Sequence, residues 1–230
     1  MGLLTSRRSR GASADRLLDD RITWQCASLL LDYPDDAVAD RVRTVRRLST
    51  GTVTHPRLDA LATHLESTPL PELQTAYVET FDQRRRCNLF LTYFTHGDTR
   101  KRGAALLRIK QTYMAAGMEL DEGELPDHLC VVLEFAATVD AGVGVGLLTD
   151  HRASLETLRI SLREASSPWA AAVEAVCATL PPLQGDEETA VQRLIAEGPP
   201  EEEVGLSPYG GPTDLGMPTV PARRPEVARR

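Results

Sequence analysis

The chain has 230 residues, 42% hydrophobic and 26% charged, which is ordinary globular composition and enough for one substantial core. A formal net charge of −7 and a pI near 5.3 argue against a general nucleic-acid binder, which carries a basic excess. Cys26, Cys87, Cys130 and Cys177 form no C-x-x-C pair, so they offer no close ligand pairs for a structural zinc and read as reduced thiols.

The arginine pair Arg7-Arg8 is followed by polar "SRGASADR" rather than by the apolar stretch an export signal needs. The first apolar run, "ASLLL" at 27–31, is far below the length of a membrane span. The expectation is a soluble, non-exported protein.

Apolar spacing is helical almost throughout. Leu18, Ile22, Cys26 and Leu29 predict a helix over about 15–32, ended by "DYPDD", because the residue before Pro34 avoids helical dihedrals. Val38, Val42, Val45 and Leu48 mark a second helix, opened by Asp35 or Asp36. Leu58, Leu61 and Leu65 mark a third after Pro56. A fourth begins near Pro71 with Leu73, Tyr77 and Phe81 on one face. "CNLFLTYF" at 87–94 has β propensity but no strand of similar quality to pair with, so it reads as helix broken at Gly97. Asp98 or Thr99 caps a helix running to about 115 and closed by Gly117. "ELPDH" leads into a helix capped near Asp127, apolar on nearly all sides and therefore central. Leu148, Leu155, Leu158 and Leu162 give a further helix, and Trp169, Val173, Val176 and Leu180 another. A short helix over 186–197 completes the series. "GVGVG" at 142–146 follows a helix rather than a strand, so it reads as a flexible connection and not a dinucleotide loop.

From Gly198 the chain is rich in Pro and Gly and has no sustained period. The predicted organisation is a flexible N-terminus (1–14), one all-α helical bundle domain (15–197) and a disordered or wrapping tail (198–230).

No catalytic motif is present: no G-x-S-x-G, no phosphate loop, no H-E-x-x-H. His96, Asp98, Asp127 and His128 are of metal-ligating types, but their spacing follows no known ligand pattern and both aspartates sit where helix caps belong. Two arginine and lysine clusters, Arg84–Arg86 and Arg100–Arg102, bracket the aromatic band Leu89, Phe90, Leu91, Tyr93 and Phe94. The band is wider than one helix face hides, so part of it reads as groove lining. Glu124, Pro126, Asp127 and His128 gather acids and an imidazole at one helix mouth.

The run "YVETFDQRRRCNLFLTYFTHGDTRKRGAALLRIKQTYMAAGMEL", then "ELPDHLCVVLEF", with "LLLDYPDD" upstream, resembles the NarJ-type assembly chaperones of respiratory nitrate reductase over about Cys26 to Leu180. The resemblance implies an all-α chaperone that is not an enzyme. It implies a cytoplasmic protein that binds the N-terminal segment of the apo catalytic (alpha) subunit and keeps it competent for molybdenum cofactor insertion. No cofactor is held permanently, cofactor delivery proteins are further partners, and nucleic acid and membrane insertion are not expected. The family's Y-x-x-x-F element falls on Tyr77 and Phe81. Its acid-Pro-Asp-His element falls on Glu124, Pro126, Asp127 and His128. The expected client groove is Tyr77, Phe81, Leu89, Leu91, Phe94, Glu124, Pro126, Asp127 and His128, rimmed by Arg84, Arg85, Arg86 and Arg100. Two other readings stand beside it: a chaperone of the same fold for another molybdoenzyme, and a small metal-dependent enzyme using His96 and His128.

Overall fold

A computed structural model describes residues 3–97, 99–121 and 123–198, with side chains from residue 13 onward. Eleven α-helices run through these residues: α1 Leu3–Leu31, α2 Val38–Ser49, α3 His55–Ser67, α4 Leu70–Phe81, α5 Leu91–His96, α6 Arg100–Ala115, α7 Leu129–Thr138, α8 Ala141–Asp150, α9 Arg152–Glu164, α10 Ala170–Thr179 and α11 Gly185–Glu197. The chain is all-α and forms a helical bundle, as the periodicity predicts. The expected tail lies, beyond Gly198, outside the described residues.

Helix α1 packs against α2, α3, α7 and α10. Its inner face, Trp24, Cys26, Ala27, Leu30 and Leu31, is buried because these residues recur at helical spacing on one side. The Trp24 indole N–H finds a partner 155 residues further along the chain, the Thr179 hydroxyl at 2.8 Å. Helix α1 begins at Leu3, well before the apolar repeat starts near residue 15. Apolar spacing marks only the part of a helix that faces a core, and "SRRSRGASADR" contains no proline to stop the turn propagating.

Trp169, at the start of α10, is fully buried and collects the aromatic residues of α4: its ring centroid lies 5.6 Å from Tyr77 and 5.5 Å from Phe81. The Tyr77 hydroxyl donates to the Leu31 carbonyl at 2.9 Å, satisfying an orphan C=O at the end of α1. Arg41 closes the "DYPDD" connection, bonding the Tyr33 carbonyl and the carboxylates of Asp32 and Asp35.

Helix α7 is central, with Leu129, Val131, Val132, Leu133, Phe135, Ala136 and Ala137 all buried. A smaller core forms where Ile109 and Tyr113 of α6 meet Val131 and Phe135. Gly117, at φ 82°, ends α6 in the left-handed conformation, and Met118 N–H reaches back to the Tyr113 carbonyl at 2.9 Å.

Three sequence readings need correction. The apolar stretch 148–162 is two helices, because the chain breaks at His151 between α8 and α9. "GVGVG" is the first half of α8 rather than a flexible connection, capped by the Asp140 carboxylate on the Val143 N–H. Segment 87–97 is only partly helical: a 3-10 turn at Arg85–Cys87, then extended backbone, then α5. Its β propensity is realised in an isolated antiparallel bridge between Phe90 and His128.

The Gly144 site decides how closely α8 approaches α7. A Cβ built there would lie 2.3 Å from the Ala136 Cβ and 2.4 Å from its Cα. Nothing stands within 4 Å of one built at Gly146. Gly144→Ala should therefore cost about 2 kcal/mol through overpacking. Gly146→Ala should gain up to about 1 kcal/mol from helix propensity. Urea unfolding of the two variants checks the opposite signs.

Candidate functional site

The region flagged by the sequence is organised by a clamp between two segments. Leu89–Leu91 runs antiparallel to Asp127–Leu129: Leu129 N–H donates to the Leu89 carbonyl at 2.8 Å, and Leu91 N–H to the Asp127 carbonyl at 3.0 Å. Asp127 is fully buried. Its Oδ2 accepts from the Thr92 N–H at 3.1 Å and from the Thr92 hydroxyl, and Arg102 Nη2 lies 3.5 Å away. Thr92 is the second residue of α5, so Asp127 caps that helix from a distant part of the chain. It does not cap α7, whose N-cap is His128 without a side-chain cap bond. The Arg102 guanidinium also sits over the rings of Phe90 (5.4 Å) and Tyr93 (5.8 Å). Pro126, buried, presents its carbonyl to the Tyr113 hydroxyl at 2.9 Å.

Two clefts flank this clamp. The first, of about 720 Å³, lies between the Arg85–Thr95 region and helices α9 and α11; Phe94, Ala153, Ala190 and Leu194 give it an apolar floor, and Arg85, Arg86 and Arg193 a basic rim. The second, of about 430 Å³, lies between α1, the bridge and the start of α7. Leu29, Phe90, Leu125 and Val131 line it with apolar surface, and Asp32, Glu124 and Glu134 supply carboxylates. His128 stands in this acidic cleft with its ring 5.1 Å from that of Phe90. Cys130 lines it too, with burial pushing its thiol well above the ordinary range. Cys26 and Cys177 are raised by burial as well, to about 12 and about 11.

The expected groove residues do not form one surface. Tyr77, Phe81, Leu89 and Leu91 are core residues, because their aromatic and aliphatic groups pack on Trp169 and the α1 and α7 interior. Pro126 and Asp127 are buried within the clamp. Phe94 is buried at the floor of the basic cleft, whose rim carries the exposed Arg85 and Arg86; Arg85 also donates to the Tyr93 hydroxyl at 3.0 Å. Exposed Glu124 and half-buried His128 meet in the acidic cleft. Arg84 and Arg100 are exposed and line neither cleft. His96 ends α5, and Asp98 lies outside the described residues. Among the described residues no three His, Cys, Asp or Glu side chains gather as a metal site would require.

Sequence reasoning missed Gln25, Leu29 and Asp32, which α1 contributes to the acidic cleft. Leu29 was read only as a member of the apolar stripe of α1, and the i, i+4, i+7 spacing of the three places them on one face without showing what that face meets. Glu134 was missed because α7 was read only as core.

The profile of the family described as "Nitrate reductase delta subunit" matches residues 52–175, which include the whole clamp. The chain belongs to that family. It is 42% identical to the "Nitrate reductase-like protein NarX" of Mycobacterium tuberculosis over 69% of its length, and the match spans only 24% of NarX. It is 30% identical to the "Probable nitrate reductase molybdenum cofactor assembly chaperone NarJ" of Bacillus subtilis, over 70% of this chain and 90% of that one. Among solved structures, a putative redox enzyme maturation protein from Archaeoglobus fulgidus superposes with a TM-score of 0.53 and 26% identity, covering 69% of this chain and 91% of the other. Among the described residues no helix is long and apolar enough to cross a membrane.

Two predictions follow from the clamp and its histidine. Asp127→Ala strands the Thr92 donors and the Arg102 charge, and should cost about 3 kcal/mol. Asp127→Asn should cost less, since an amide oxygen still accepts. Chemical denaturation measures both.

Burial pushes the His128 pKa below its ordinary 6.5, against the opposing pull of Asp32 and Asp127. His151 and His96 are lowered as well, chiefly by burial. Unfolded histidines take protons first as pH falls, so this stability is complete above the unfolded pKa and is lost below it. The melting temperature should drop between about pH 7 and about pH 5.5, a window set by the reference histidine pKa. His128→Gln should remove part of the drop, and an unchanged profile would assign it to the other histidines.

Proposed function

We propose that the protein is a cytoplasmic chaperone for the catalytic subunit of a respiratory nitrate reductase, binding its N-terminal segment and holding the apo-subunit ready for molybdenum cofactor insertion. The observation that carries this reading is the match over 90% of the Bacillus subtilis assembly chaperone, a protein of the same extent as the matched core of this chain. The likeness to a redox enzyme maturation protein supports it at the level of fold. The work is binding rather than bond-making, and cofactor delivery proteins are the natural second partners.

The acidic cleft is the better candidate for the client. Its apolar lining suits the non-polar face of an amphipathic helix, which anchors through side chains at i, i+3, i+4 and i+7. Glu124 and Glu134, both exposed at its edge, select a segment carrying Lys or Arg on its polar face and steer its approach. His128, kept neutral by burial, adds no opposing charge. This revises the expected groove: Glu124 and His128 remain in it, and the aromatic band supports it from behind.

The test is calorimetry of the full chain with a peptide of the client's N-terminal segment. Micromolar affinity, about −8 kcal/mol, is expected. Glu124→Lys with Glu134→Lys should weaken binding at least tenfold, about 1.4 kcal/mol, while Arg86→Glu leaves it unchanged. Equal affinity in all variants would move the client elsewhere. Failure of the catalytic subunit to co-purify with the chain would remove the function itself.

A further inference from the structure

The basic cleft has a different occupant. We infer that it is an intramolecular docking site for the segment Glu201–Leu206 of this chain's own C-terminal tail.

The first argument is where the described chain ends. Gly198 is itself part of the cleft wall. There α11 terminates at φ 78°, with the Gly198 N–H on the Leu194 carbonyl at 2.9 Å, so the tail leaves from inside the cleft rather than from a remote surface. Pro199 and Pro200 come next, and they bar continuation of the helix. Glu201 is three residues from Gly198, a reach of at most about 10 Å for extended chain. That is comparable to the breadth of a cleft of about 720 Å³.

The second argument is charge. The rim carries Arg85, Arg86 and Arg193. Among the described lining residues the one carboxylate, Glu197, pairs with Arg193 within α11 at 3.1 Å, and both side chains are largely exposed, so that pair is a weak competitor. The tail brings Glu201, Glu202 and Glu203 consecutively. Each arginine fork donates two parallel N–H bonds to one carboxylate, so neighbouring arginines suit a run of adjacent glutamates. The third argument is the floor. Phe94, Ala153, Ala190 and Leu194 are apolar, and Val204 and Leu206 follow the glutamates at the alternate spacing that turns both side chains to one face of an extended segment.

Docked in this way, the tail covers the face of α5 opposite the acidic cleft, and an external acidic segment must displace it to bind there. The inference does not depend on what the acidic cleft holds.

Hydrogen exchange of the full chain, read by mass spectrometry, tests it. Amides of 201–206 should exchange at least about tenfold more slowly than an unstructured peptide of the same sequence. Arg86→Glu with Arg193→Glu should abolish that protection while leaving the amides of α7 and α10 as slow as before, which shows that the variant is folded. Adding Glu201→Arg and Glu203→Arg to that variant should restore it. Free exchange of 201–206 in the unmodified chain would overturn the inference, as would protection indifferent to the arginine reversals. Protection that rises with protein concentration would assign the cleft to the tail of a second copy and overturn it equally.

Discussion

One buried carboxylate holds together the wall between the two clefts. Asp127 joins three separate parts of the chain: the loop before α7, the N-terminus of α5 and, through Arg102, helix α6. A buried charge is costly unless its partners are in place. The Thr92 donors satisfy Oδ2 and the Arg102 guanidinium 3.5 Å away offsets part of the charge, and the neighbouring backbone bonds of the Phe90–His128 bridge fix their register. Helix α5 has only six residues, too few to persist without tertiary support. Its position, and the separation of the two clefts on either side of it, follow from Asp127.

That arrangement gives the clefts opposite electrostatic character from one short stretch of sequence. Arg85, Arg86 and Phe94 face one side, and Phe90, Glu124 and His128 face the other. The aromatic band is therefore divided rather than displayed as a single groove. Most of it forms the wall between the two clefts, which keeps the basic rim apart from the acidic one.

The helices were legible because period-3.6 apolar spacing is a local signal, and Pro56, Pro71 and Gly117 mark where helices start or stop. What escaped was non-local. The strand-like "CNLF" lacked a visible partner because its partner is "PDHL", a segment whose own composition signals a helix start. Gly144 looked like flexibility because its reason for being glycine is Ala136 on another helix. Tyr77 and Phe81 were found as a motif, but whether a motif packs inward is decided by Trp169, about ninety residues away. The chemistry of Glu124 and His128 was visible in the sequence; their companions on α1 were not, because a cleft is assembled by packing.

The hydrogen bond from Trp24 to Thr179 has a consequence for how the protein is made. It spans 155 positions, and α1 packs on the late helices α7 and α10 as well as on its neighbours α2 and α3. During synthesis α1 emerges well before α7 and α10, and the part of its apolar face that meets them stays uncovered until they have left the ribosome. Such long-range closure slows folding. A protein proposed to shelter another chain's apolar segment must, until α10 is made, leave part of such a segment of its own unsheltered.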